Sequence, residues 1–168
     1  NFTFDHIQVN DTKKNSTGTG TLAGYLDGDG VRVANITVSN GSVTGYNNVG
    51  GLIGWSDGFR EGNTFLNVHN VNTSVTGQTV DTGFVVNGEN QYTGQGVGGI
   101  IGYENSWKNQ EGKTNTFRNV SNSGHITGRI YVGGLAGRLA AANMDQVRNT
   151  GRIEQQTVKF INKYGYSD

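Results

Sequence analysis

Gly54-Trp55-Ser56-Asp57-Gly58 spells Gly-x-Ser-x-Gly, the elbow that exposes a nucleophilic serine between a strand and a helix. The chain repeats internally, however, and the residues level with Ser56 in the other copies are Leu26, Glu104 and Leu139. The five letters therefore read as a repeat turn. Asp27-Gly28-Asp29-Gly30 offers carboxylates and turn carbonyls to a hard cation such as calcium, which takes about six to eight oxygens. Only half of such a loop is present, and the same letters make a tight turn, since Asp and Gly tolerate positive φ. His6, His69 and His125 lie in different units without ligand spacing. Asp57 and Glu61 are four apart and are the carboxylate pair to weigh for action on a glycosidic bond, but the stretch between them is a glycine-flanked connection. Most acids fall in turns and connections, where solvated residues belong. No catalytic residue, metal ligand or cofactor site is assigned.

Amides and aromatics recur more regularly. Asn35, Asn67, Asn119 and Asn149 are read as one position in successive units, where stacked amides can satisfy one another's donors and acceptors. His6 is read as the same position in an incomplete first copy. Tyr25, Trp55 and Tyr103 fall at one repeat position and are expected to stack, with Arg138 ending the series. An insertion at 80–95 precedes the third glycine-rich block, and Asn87-Gly88 between Phe84-Val85-Val86 and Gln91-Tyr92 signals a hairpin. A second extension, Glu104 to Thr116, carries Trp107. Loops on a rigid scaffold are where binding usually sits, so Tyr92, Tyr103 and Trp107 are the candidate binding residues.

Composition narrows the partners. Among 168 residues Lys plus Arg and Asp plus Glu balance at 13 each, so no net field draws the chain to nucleic acid or an anionic bilayer. No stretch reaches the roughly 18 apolar residues of a membrane span. Glycine reaches 28, while proline and cysteine are absent, which removes disulfides and thiolate sites and is compatible with export.

The elements that must carry these residues follow from the repeat. Val-Gly-Gly-Leu-Ile-Gly at 49–54 returns as Val-Gly-Gly-Ile-Ile-Gly at 97–102 and Val-Gly-Gly-Leu-Ala-Gly at 132–137, with Thr-Gly-Thr-Leu-Ala-Gly at 19–24. The block reads as one short buried strand. A second block follows at Val33-Ala34-Asn35-Ile36, Phe65-Leu66-Asn67-Val68, Phe117-Arg118-Asn119-Val120 and Val147-Arg148-Asn149-Thr150, with an opening version at Phe4-Asp5-His6-Ile7. Thr44-Gly45, Thr76-Gly77 and Thr127-Gly128 close three copies, and Thr17-Gly18 is read as closing the first. Two or three short strands per unit, separated by Gly, Asn, Asp and Ser turns, cannot bury an apolar face alone, but stacked coils can. The expectation is an all-β parallel β-helix of about four to five irregular coils with loop insertions. Its parts are an incomplete coil at 1–18, repeat units at 19–47, 48–79, 96–130 and 131–156, the insertion at 80–95 and a C-terminal extension at 157–168. A Greek-key sandwich is the rival, and Leu139 to Met144 has the composition of a helical turn. Because the repeat is already running at Asn1, the chain is read as a fragment of a larger protein.

Gly-Gly-Leu-Ile-Gly at 50–54 and its relatives at 98–102 and 133–137 resemble the GLUG motif of bacterial surface proteins, a resemblance extending over roughly residues 19–156. Such repeats are similar to those of adhesins and of the N-terminal region of streptococcal-type zinc metallopeptidases that cleave immunoglobulin A. The resemblance implies an extracellular or wall-attached bacterial protein whose partner is a host protein such as immunoglobulin A, or a host glycan. It implies a non-catalytic module, since the peptidases' His-Glu-x-x-His is not matched and no catalytic residue carries over. An adhesin stalk is the alternative parent, and a polysaccharide lyase or hydrolase a more distant one. Thr21 departs from the motif, standing where the second glycine should be.

Overall fold

The structure is a computed structural model, described here for residues 1–58, 61–79, 84–86, 89–91, 93–105 and 114–157. Among the described residues nineteen strands account for the regular elements, and no helix occurs. The first half-turn of chain supplies β1 (Phe2–Asp5) and β2 (Gln8–Asn10). The next supplies β3 (Ala23–Asp27), β4 (Arg32–Ser39) and β5 (Ser42–Gly45), preceded by an isolated parallel bridge from Thr19 to Val49. Full four-strand coils follow: β6 (Asn47–Gly50), β7 (Ile53–Asp57), β8 (Thr64–Val71) and β9 (Ser74–Gly77). After the short strands β10 (Phe84–Val86) and β11 (Glu89–Gln91) comes a coil of β12 (Gln95–Gly98), β13 (Ile101–Asn105), β14 (Asn115–Asn122) and β15 (Ile126–Gly128). The last coil holds β16 (Ile130–Gly133), β17 (Ala136–Leu139), β18 (Ala142–Asn149) and β19 (Ile153–Gln155).

Equivalent strands of successive coils pair in parallel and strictly in chain order. They form sheet I (β6-β12-β16), sheet II (β3-β7-β13-β17), sheet III (β1-β4-β8-β14-β18) and sheet IV (β2-β5-β9-β15-β19). A sandwich would pair neighbours in sequence. Here each strand instead pairs with its counterpart one coil away, so the fold is a parallel β-helix with four strands per complete coil. The exception is β10–β11, antiparallel from Phe84↔Gln91 to Val86↔Glu89, the hairpin that Asn87-Gly88 signals.

The Val-Gly-Gly-Leu-Ile-Gly block is a corner and not one strand: β6 ends at Gly50, and β7 begins at Ile53 after a bend at Gly51 and Leu52. Leu52 and Ile53 both point inward and are fully buried, as are Ile100 and Ile101 one coil later. Leu139 to Met144 forms no helical turn either. β17 ends at Leu139 and β18 starts at Ala142, because neighbouring coils offer a ladder that outweighs the local preference of three alanines. Thr44-Gly45, Thr76-Gly77 and Thr127-Gly128 do end strands of sheet IV. Thr17-Gly18 does not, because Asn10 pairs with Thr44, and Thr17-Gly18 leads instead into the bridge at Thr19.

The interior divides into two apolar clusters. One joins sheets II and III through Ile53, Ile101, Val33, Phe65, Val68, Phe117 and Val120, with the Phe65 and Phe117 rings stacked at 4.8 Å. The other joins sheets IV and I through Val43, Val75, Ile126, Val49 and Val97. Each such side chain taken from water stabilises the fold by about 1.5–3 kcal/mol, so columns of identical apolar types do most to lock the coils in register.

Candidate functional site

Sheet III carries the candidate site because its strands break the two-residue alternation. In a regular strand Phe65 and Val68 would point to opposite faces, yet both are buried in the same cluster. Asn67 lies between them with φ 53°, in the left-handed region that Asn tolerates better than most residues. That one residue resets the phase, so Leu66 and Asn67 both point outward and Val68 turns back in. Asn35 (φ 58°) and Asn119 (φ 51°) do the same in their coils.

Their side chains form a ladder on the outside. Asn67 Nδ2 donates to Asn35 Oδ1 at 2.8 Å, and Asn119 Nδ2 donates to Asn67 Oδ1 at 2.9 Å. Asn149 is not the next rung. The register pairs Arg118 with Asp145 and Val120 with Val147, which puts Gln146, φ 54°, level with Asn119. His6 is displaced too: Asp5 pairs with Ser39, so His6 is level with Asn40, at the end of the strand. Both, with Asn72, hold positive φ there.

The misalignment arises because β8 and β14 each carry a second asparagine three residues after the outward one, whereas β18 has Gln146 at the earlier position and Asn149 at the later one. Asn70 and Asn122 belong to a second ladder, continued by Asn149, that points inward and is buried in its first two rungs. Asn122 Oδ1 accepts from the Gly124 N–H at 3.1 Å, while its Nδ2 donates to the Gly124 carbonyl at 3.0 Å and to Asn149 Oδ1 at 2.8 Å. Asn70 closes the same corner through Thr73, and its Nδ2 reaches the Gly99 carbonyl at 3.0 Å. These amides replace backbone partners lost at the corner between sheets III and IV. They also crowd the second glycine of each block. A Cβ on Gly134 would collide with Asn149, one on Gly99 with both Asn122 and the Gly134 carbonyl of the next coil, and one on Gly51 chiefly with the Gly99 carbonyl. Where Thr21 replaces that glycine, the residue level with Asn70 is Val38. The letter pattern holds no direct sign of this inward ladder, but the paired exception of Thr21 and Val38 is visible in it.

Outward from the first ladder runs a column of Thr3, Thr37, His69 and Ser121, matched by register, in which His69 Nδ1 and Ser121 Oγ lie 2.8 Å apart. Asn1, Thr3, Asn35, Thr37, Asn67, His69 and Asn119 line an open trough of about 360 Å³ along the solenoid axis. Its lining is amide, hydroxyl and imidazole. Charges lie beside it: Arg118 and Asp145 pair at 3.1 Å in the adjacent column, and Asp5 stands at the strand end. Hydrogen bonds to Asp5 from Ser39 Oγ at 2.6 Å, Asn40 Nδ2 at 3.0 Å and the neighbouring His6 ring hold its carboxyl at about 2.

The other sequence candidates fall elsewhere. Tyr103 lies on sheet II in the expected stack: Tyr25 and Trp55 rings are 5.5 Å apart, Trp55 and Tyr103 5.4 Å, and the Arg138 guanidinium sits 4.6 Å over Tyr103. Tyr92 and Trp107 lie outside the described residues. Ser56 is fully buried in the column Leu26, Ser56, Glu104, Leu139, and its Oγ accepts from Asn63 Nδ2 at 3.2 Å. Asn63 in turn accepts from the Val31 N–H, and Asn115 from the Asn63 N–H, so the corner between sheets II and III has its own amide ladder. Two acids depart from the solvated pattern, since Glu104 is fully buried and Asp57 is 8 % exposed. Burial pushes the Asp57 carboxyl up, the Tyr25 hydroxyl at 3.4 Å pulls it down, and Asp27 and Asp29 push it up further. Asp27 ends β3 and Asp29 lies in the bend that follows, where the Gly28 and Gly30 N–H groups donate to the Asp57 and Glu61 carbonyls. Among the described residues no three His, Asp or Glu gather as a ligand set.

No family model, curated protein or solved structure matches the chain.

Proposed function

We propose that this chain is a non-catalytic β-helical module of a secreted or cell-surface bacterial protein, one that holds a binding face at a fixed position. The observation that carries the reading is the strict chain order of all four sheets, which makes the body a stack of rungs about 4.8 Å apart. Such a stack presents the same side-chain column at every rung and resists bending, which suits a spacer or a docking surface. The GLUG-like glycine blocks support a parent of the immunoglobulin A metallopeptidase type, where the module would grip the antibody away from the scissile bond. A longer run of similar coils would instead make the parent an adhesin.

The test is to incubate the purified chain with immunoglobulin A and with neutral and acidic polysaccharides, following both complex formation and new chain ends. Binding of either partner with every substrate left intact is the expected result. New peptide termini or reducing ends would overturn the non-catalytic reading in favour of a protease or a polysaccharide lyase or hydrolase. In the parent gene, His-Glu-x-x-His marks the peptidase, and further coils alone mark the adhesin.

A further inference from the structure

We propose that the trough on sheet III binds a linear neutral glycan whose chain runs along the solenoid axis, one sugar to about one rung. The inference rests on the reading that this module presents a binding face, and it names the ligand class of that face. A sugar hydroxyl both donates and accepts, and so do the groups that line the trough. An amide has two donor hydrogens and two acceptor lone pairs. Asn67 spends one donor on Asn35 and receives one bond from Asn119, so part of its capacity remains directed outward. The amides are polarised in one direction, head to tail, which strengthens the outermost donors and acceptors of the row.

Geometry and charge point to the same class. The two columns, Asn35-Asn67-Asn119 and Thr37-His69-Ser121, repeat with the rung spacing of about 4.8 Å, close to the advance of a linear pyranose chain per sugar. A trough open along its length admits the middle of a polymer, whereas a closed pocket admits only an end. None of the seven lining residues is Asp, Glu, Lys or Arg, and Arg118 beside the trough is paired with Asp145, so side-chain charge gives the site no strong preference for a polyanion. The left-handed backbone at Asn35, Asn67 and Asn119 fixes the amides before any ligand arrives, which lowers the ordering cost of binding.

The experiment is a titration of the isotope-labelled chain with cello-, chito- and manno-oligosaccharides of increasing length, read from side-chain amide and backbone signals. Oligogalacturonate serves as the anionic comparison. Expected are shifts confined to sheet III, affinity that rises with each added sugar until the trough is spanned, and weaker binding of oligogalacturonate. Asn67→Gly with Asn119→Gly keeps residues that favour positive φ while deleting the amides, and should bind about tenfold more weakly with an unchanged backbone spectrum. If that pair fails to fold, Thr37→Val, which suits a strand and deletes only a hydroxyl, should still weaken binding several-fold. Absence of binding by all three neutral series, independence of chain length, or unchanged affinity in a folded variant would overturn the proposal. None of these would touch the non-catalytic reading, which fails only if a ligand is cleaved.

Discussion

Asn67 joins two demands in one residue: a φ of 53° that turns Val68 back into the core, and an amide that links Asn35 to Asn119. The two separate by mutation. Asn67→Gly keeps the backbone angle and loses two exposed hydrogen bonds, so it should cost about 1 kcal/mol or less in chemical denaturation. Asn67→Val forces a β-branched residue into the left-handed region and should cost about 2–3 kcal/mol. Equal losses would mean that the angle is not what positions Val68. Asp57 offers a prediction of opposite sign to the usual carboxylate. Its Oδ1 is buried without a hydrogen-bond partner among the described residues, and its carboxyl is raised above 3.8, chiefly by burial. The folded chain then holds the proton more tightly than the unfolded chain does. Stability is therefore highest below 3.8 and falls as pH rises through the raised native value, as far as this group is concerned. Asp57→Asn should remove that fall and raise the melting temperature at neutral pH, as differential scanning calorimetry between pH 4 and 7 would register. An unchanged pH slope would assign the effect to another group. Asp5, held at about 2 mainly by Ser39, works in the other direction: its contribution is present above 3.8 and is lost as pH falls through about 2.

At the scale of elements, the corner between sheets I and II and the corner between sheets III and IV are built against each other. The second glycine of each block leaves the space that an inward asparagine fills, and the coil with Thr21 has Val38 in place of the amide. Val38→Asn alone buries an amide against Thr21 and should cost about 2 kcal/mol. Adding Thr21→Gly should recover at least about 1 kcal/mol of that loss in a double-mutant cycle. Strict additivity would show that the two corners are independent. This coupling also marks the limit of what the letters reveal. The glycine blocks and the outward amides at Asn35, Asn67 and Asn119 are legible because each stands at a fixed distance from a repeated apolar residue. Gln146 is not, since Val147-Arg148-Asn149 resembles the preceding blocks better than the true counterpart, Met144-Asp145-Gln146, does. Only pairing between strands distinguishes an Asn that sets the backbone phase from one three residues later that plugs a corner. The same blindness turned a corner at Gly51 and Leu52 into a continuous strand, because apolar residues on both faces suit either.

For the whole molecule, the physical unit is the coil and not the sequence block, and this has a consequence for how the chain tolerates shortening. Arg32 pairs with Thr64 and Val38 with Asn70, so removing residues 32–63 joins Val31 to Thr64 at equivalent points of consecutive rungs. Every sheet then closes over the gap: β3 can meet β13, β1 can meet β8 and β2 can meet β9, each with the partner's own column types. In a stack where each rung contacts only its neighbours, stability is a sum of rung and interface terms, and one rung fewer lowers it without abolishing cooperativity. The deletion should fold, with an unchanged β spectrum by circular dichroism, a lower melting temperature and a scattering envelope shorter by about 4.8 Å. Removing residues 32–55 joins Val31 to Ser56, which places a sheet II residue where sheet III must begin, and that chain should not fold. If both deletions fold equally well, or neither folds, the coil is not the cooperative unit. The trough carries the same logic into function. Removing 32–63 takes out Asn35 and Thr37 but leaves Asn67, His69 and Asn119 in line, so a glycan site built from repeated rungs should lose one sugar's worth of length dependence and keep its preference for neutral chains.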